Sequence, residues 1–99
     1  MVKLLMSWDI QTGREAEYFQ FIIQEFVPGL LKIGLQPTEV WFTAFGERPQ
    51  ILAGGLASDL PAMQAIVNGS EWKELRTHLE EFVSGYAQKV VRAEGGFQL

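Results

Sequence analysis

The chain has 99 residues, almost half of them apolar, including seven Phe and three Trp, which is one small domain with enough apolar bulk to pack an interior. Eight Lys and Arg stand against twelve Asp and Glu, with no basic run, and this excludes the clustered cations that nucleic acid requires. The lack of cysteine removes disulfides, thiolate nucleophiles and thiolate metal sites, and no apolar run reaches membrane-spanning length.

The first segment, VKLLMSWDI, alternates with period two. Val2, Leu4, Met6, Trp8 and Ile10 share one face, and Lys3, Leu5, Ser7 and Asp9 share the other, so a strand with one buried side is predicted. MVKLLMSWDI is too briefly apolar to read as a signal peptide, and a cytoplasmic protein is expected. Thr12 and Glu15 have the spacing of a capping box. From Arg14 the period becomes helical, with Phe19, Ile22, Ile23, Phe26 and Leu30 as the predicted core stripe. Tyr18 and Phe21 then fall on the outer face, where a large aromatic needs a partner. Pro28 predicts a kink or break, and Gly34 a C-terminal cap.

PTEVWFTAF and ILAGGLAS, joined by a turn containing Gly46 and Pro49, predict a β-hairpin. Gly54 and Gly55 mark either a bulge or a close approach, with a tightly packed helix as the simplest cause. SDLPAMQAIVNG is a short helix capped by Ser58 and Asp59, with Pro61 in its first turn and a stop at Asn68-Gly69. Ser70 is expected to cap a longer helix that runs to Gly85, before a last strand, YAQKVVRA, and a tail over 94–99. The order β-α-β-β-α-β over one domain, 1–99, is the ferredoxin-like α+β plan: a four-stranded antiparallel sheet with helices on one face.

In that plan the second sheet face should be polar, yet the hairpin alternates Val40, Phe42 and Ala44 against Trp41, Thr43 and Phe45, apolar on both sides. Leu52 and Leu56 likewise oppose Ile51, Ala53 and Ala57. Covering each large apolar side chain is worth about 1.5–3 kcal/mol, so a homodimer through the second face is expected. Leu5, Trp41 and Phe45 are its candidate contacts, and Tyr18 and Phe21 would add to them or make another contact.

The WDIQTGREAEYFQFI strand-to-helix junction, the Pro28-Gly29 break and SEWKELRTHLEEFV before the last strand resemble the dimeric α/β-barrel superfamily, with its antibiotic-biosynthesis monooxygenase-like and NIPSNAP-like domains. The resemblance implies two ferredoxin-like subunits joined by their sheets into a barrel. It also implies a cleft between each sheet and its helices, here lined by Trp8, Trp72 and His78 with Asp9 at the rim. Haem-degrading relatives use an Asn on the first strand together with a Trp and a His. This chain has Ser7 and Asp9 there, and its Trp72–His78 spacing is short, so no cofactor is implied.

Taken alone, Trp72 opens a stripe with Leu75, Leu79, Phe82, Val83 and Tyr86, which is core packing, although a buried indole N–H also suits a pocket. His78 sits about 120° around the helix from Trp72 and reads as a solvated residue beside Glu74 and Glu81. No metal cluster, catalytic triad or phosphate loop is spelled out, and the catalytic residues, if any, are unassigned. The expected role is binding of a small apolar molecule. The alternative is a cofactor-independent monooxygenase acting on an aromatic substrate, and an amino-acid-binding regulatory module is a more distant third.

Overall fold

The computed structural model describes residues 1–42 and 49–93. Its elements are β1 (Val2–Ile10), α1 (Glu15–Phe21), a π-helical segment (Ile22–Phe26), α2 (Val27–Lys32), β2 (Gln36–Phe42), β3 (Ile51–Ala57), α3 (Leu60–Val67), α4 (Ser70–Leu79) and β4 (Val83–Arg92). The strands form one antiparallel sheet in the order β2-β3-β1-β4, the ferredoxin-like plan expected from the chain order. Phe45, with the rest of the hairpin turn over 43–48, lies outside the described residues.

The alternation in β1 sets the layers. Leu4, Met6, Trp8 and Ile10 are buried beneath the helices, with Ile51, Ala53 and Ala57 of β3 beside them. Lys3, Leu5 and Ser7 register with Leu56, Gly54 and Leu52 on one side and with Val91, Lys89 and Ala87 on the other. These residues make the open face of the sheet, because side chains alternate across the pleat.

The first helical stretch corrects the predicted stripe. Phe21 and Tyr18, placed on the outer face by the simple period, are buried at 4% and 3%, whereas Phe19 and Ile23 are exposed. The cause is the π-helical segment, where the N–H of Val27 donates to the carbonyl of Ile22, five residues back. In an uninterrupted α-helix Phe26 would stand about 140° from Phe21. The wider turn returns it to the same side, so Tyr18, Phe21, Phe26 and Leu30 form the buried row. Pro28, which has no N–H, enters in the first turn after this segment. As core residues of their own chain, Tyr18 and Phe21 are withdrawn as contacts to a second copy.

Smaller corrections concern helix ends. The helix starts at Glu15 after Arg14, without a side-chain cap, because a turn that brings the Arg14 N–H to the carbonyl of Gln11 at 3.0 Å takes up Thr12. Glu15 instead accepts from the N–H of Gly13 at 3.1 Å. Gly34 closes α2 as predicted, its N–H reaching Leu31 at 3.1 Å while that of Leu35 reaches Leu30 at 2.9 Å. Asp59 caps α3 by accepting from Ala62 at 2.9 Å. Gly69 rather than Ser70 occupies the cap of α4, and that helix ends at Leu79. Gly85 is therefore no helix stop. With φ of +65° it sits inside β4, where the register against β1 slips between Ser7 and Asp9, and supplies the extra residue of a bulge.

Gly54 answers the question raised by the glycine pair. It points to the open face, where an added Cβ would stand 2.6 Å from the Thr38 hydroxyl and 3.3 Å from Lys3. Gly55 lies below Leu35 on the helix side at ordinary contact distance. The constraint is thus a side chain from β2, beside the register shift between Pro37 and Val40, rather than a helix.

Candidate functional site

Between sheet and helices, the space around Trp8 is packed with aromatic side chains. The indole N–H of Trp8 donates to the Tyr18 hydroxyl at 3.0 Å. Its ring stacks on Tyr86 at 6.0 Å with an interplanar angle of 9°, and meets Phe26 edge-on at 6.0 Å. Phe26 in turn lies 6.4 Å from Trp72. Trp8 and Trp72 are 2% and 1% exposed, so the first acts as core and the second shows almost none of its surface. Burial pushes the Tyr18 hydroxyl above its ordinary pKa, partly opposed by the indole donor, so it stays protonated. Burial raises Tyr86 as well, against the Arg76 guanidinium 4.4 Å above its ring.

Asp9 and His78 do not join the two tryptophans. Asp9 is exposed at the end of β1, where its carboxylate accepts from the N–H of Gln50 at 2.7 Å, and the Gln50 side chain returns a bond from Ile10 at 2.8 Å. That reciprocal pair pins the start of β3 to the end of β1. His78 faces Glu25 of the π-helical segment, with Nδ1 3.4 Å from Oε1, rather than Glu74 of its own helix or Glu81 just beyond it. Its ring lies 4.5 Å from Phe21 and 5.8 Å from Phe82. Half-exposed on an aromatic shelf, it borders a groove of about 250 Å³ with Gly29, Lys32, Ile33, Glu71, Glu74 and Leu75. Trp72 touches an adjoining groove of about 420 Å³ against Ile33, Ala65 and Ile66. Among the described residues no cluster of His, Asp and Glu is arranged to hold a metal ion.

A strongly apolar concavity lies on the other side of the sheet. A groove of about 470 Å³ on the open face is lined by Leu5, Trp41, Leu52 and Val91, with Lys3, Glu39 and Arg92 at its edges. A neighbouring groove of about 260 Å³ shares Leu5 and Leu52 and extends to Ser7, Ala87 and Lys89. The Lys3 ammonium donates to Glu39 at 3.0 Å. The Thr38 hydroxyl first, and Lys3 second, hold the Glu39 carboxyl below its usual range, so the Glu39 carboxylate is ionised and already paired. Trp41 remains 59% exposed. An exposed indole beside leucines can cover a flat apolar surface, whether of a small molecule or of another chain.

No family model matches the chain, and no curated protein matches it in sequence. Solved structures match over the full length. A NIPSNAP family protein from Agrobacterium tumefaciens has a TM-score of 0.74 at 13% identity, covering 99% of this chain and 97% of its own. An uncharacterised NIPSNAP domain protein from Burkholderia xenovorans has a TM-score of 0.73 at 10% identity, covering 99% of each chain. This chain has the NIPSNAP-type ferredoxin-like fold. A protein from Nitrosomonas europaea, a candidate antibiotic biosynthesis monooxygenase by its description, shares the fold with a TM-score of 0.63 at 10% identity, over 98% of this chain and all of its own. At such identities the likeness is one of fold, and it transfers no site residue. No helix among the described residues is long and apolar enough to cross a membrane.

Sequence reasoning named Leu5 and Trp41 on the open face but did not place the groove there. The signal was present in Val91 and Leu52, which a register of β3 and β4 against β1 brings to the same side. The His78–Glu25 contact left no local trace, because its partners are 53 positions apart and meet only through helix packing.

Proposed function

We propose that the chain works as a homodimer whose two open sheet faces meet to form a barrel, and that a small apolar molecule, aromatic ones included, is held between them at the Leu5–Trp41–Leu52–Val91 groove. The observation that carries this is the apolar character of a sheet face that the chain's own helices leave bare. Trp41 and Leu52 are paired across β2 and β3 and both are exposed, and Leu5 lies beside them on β1. Polar residues belong on a face meant for water, whereas an isologous contact turns the same patch into buried area. Placing the ligand here, rather than under the helices, follows from the packing of Trp8 against Tyr18, Tyr86 and Phe26.

Light scattering after size exclusion at micromolar concentration, combined with fluorescence titration by 1-naphthol, tests both parts. The reading predicts an assembly larger than one chain and a saturable change in emission that disappears in Trp41→Phe, the other two tryptophans being buried. A monomer, or a titration unaffected by Trp41→Phe, refutes the corresponding part.

A further inference from the structure

We infer that the outer side of the first helical stretch is a second self-association surface, on which two copies pack antiparallel through Phe19, Ile23, Val27 and Leu31. These four residues recur at intervals of four and are 50%, 71%, 36% and 53% exposed. In a straight α-helix a separation of twelve residues would rotate the last about 120° from the first. The π-helical turn over Ile22–Phe26 takes up part of that drift, as it does for the buried row. One insertion thus aligns two apolar stripes, one inward to the core and one outward and exposed.

Two observations point to a second copy as the occupant. First, the stripe is symmetric about position 25. Reversing one helix against another therefore pairs Phe19 with Leu31 and Ile23 with Val27, large against large and branched against branched, as an isologous contact requires. Second, Arg14 and the acidic side chains of this stretch are engaged elsewhere. Arg14 pairs with Glu17 at 2.6 Å and donates to the carbonyl of Glu81. Glu15 binds the N–H of Gly13, Glu25 faces His78, and Lys32 borders the groove with Glu71 and Glu74. The remaining polar neighbours of the stripe are Gln20 and Gln24, which are exposed and uncharged. A chain of net charge −4 could not lay a charged helix on its own copy without repulsion, and this helix keeps its charges off the contact.

Combined with a sheet-face dimer, a second isologous contact closes a tetramer where its two-fold axis meets that of the sheets at a right angle. Light scattering of the intact chain should give four chains. Ile23→Glu should halve that mass and leave a dimer held by the sheets, while Leu52→Glu should halve it to a dimer held by the helices. If Ile23→Glu leaves the mass unchanged while Leu52→Glu lowers it, the helix contact is overturned and the sheet-face reading stands. If instead only Ile23→Glu lowers the mass, the sheet-face reading fails and the helix contact remains. Because the chain has no cysteine, chains carrying Ile23→Cys and Val27→Cys can be mixed after joint refolding and oxidised. Disulfide dimers enriched in the mixture over either chain alone support the antiparallel register, and equal yields in all three overturn it.

Discussion

Replacing Tyr18 with Phe removes the hydroxyl that accepts from Trp8 at 3.0 Å and leaves the indole N–H facing an apolar interior. The Trp8 ring has Tyr86 on its face and Phe26 at its edge, so no water takes the place of the hydroxyl. Stranding a buried donor costs about 1–3 kcal/mol, against a total stability on the order of 5–15 kcal/mol for such a domain. For a chain near 100 residues each kcal/mol shifts the melting temperature by about 4–8 °C, so Tyr18→Phe should melt about 4–24 °C lower. Thermal and urea unfolding followed by circular dichroism measure it, with tryptophan emission as a second probe. Substituting Trp8→Phe in the Tyr18→Phe background removes donor and acceptor together. The double variant should then lose less than the sum of the two single losses, by roughly the unpaired-donor penalty. Unchanged melting in Tyr18→Phe, or strict additivity in the cycle, would refute the reasoning that this pair seals the space between sheet and helices.

Tyr18 and Tyr86 both have folded-state pKa values raised by burial, so the unfolded chain releases these protons first. Their contribution is fully present below the unfolded value near 10 and is lost as pH rises past it. Urea midpoints should therefore be flat with respect to tyrosine ionisation at pH 8–9 and fall above pH 10, less steeply in Tyr86→Phe. Gly54→Ala should destabilise by about 1–3 kcal/mol through the clash with Thr38, and Thr38→Ala should recover most of it in a denaturant series. Asp9→Ala removes the acceptor for the Gln50 N–H and should cost about 1 kcal/mol, with faster amide exchange at Gln50 as its local sign. His78→Ala removes a partly exposed contact with Glu25 and the ring contacts with Phe21 and Phe82, and should cost about 0.5–1.5 kcal/mol in the same assay.

What could be read from the sequence follows from which forces are local. The period-two pattern in VKLLMSWDI and the turn signals around it gave the strand and its inward face, because alternation depends only on neighbours two positions apart. The element order then led to the ferredoxin-like plan. The stripe on the first helix was misread because a π-helical turn changes the period, and nothing in IIQEF announces a five-residue hydrogen bond. Gly85 was misread as a helix stop since a glycine of positive φ serves a strand bulge equally well. Asp9 was named as the rim of a cleft and turned out to bind Gln50, a residue from the far end of a hairpin that only the sheet register brings near. Trp8 and Trp72 were placed under the helices as expected, but whether aromatics in that position line a void or fill it depends on the fit of Tyr18, Phe26 and Tyr86 together. Packing of that kind is non-local, and pattern alone does not contain it.

The molar mass of the chain in dilute solution bears most directly on the bare apolar sheet face. Light scattering should return an even multiple of 11.2 kDa that falls when Leu52 becomes Glu. A single 11.2 kDa species at micromolar concentration, folded and with Trp41 open to quenching by acrylamide, would contradict the account.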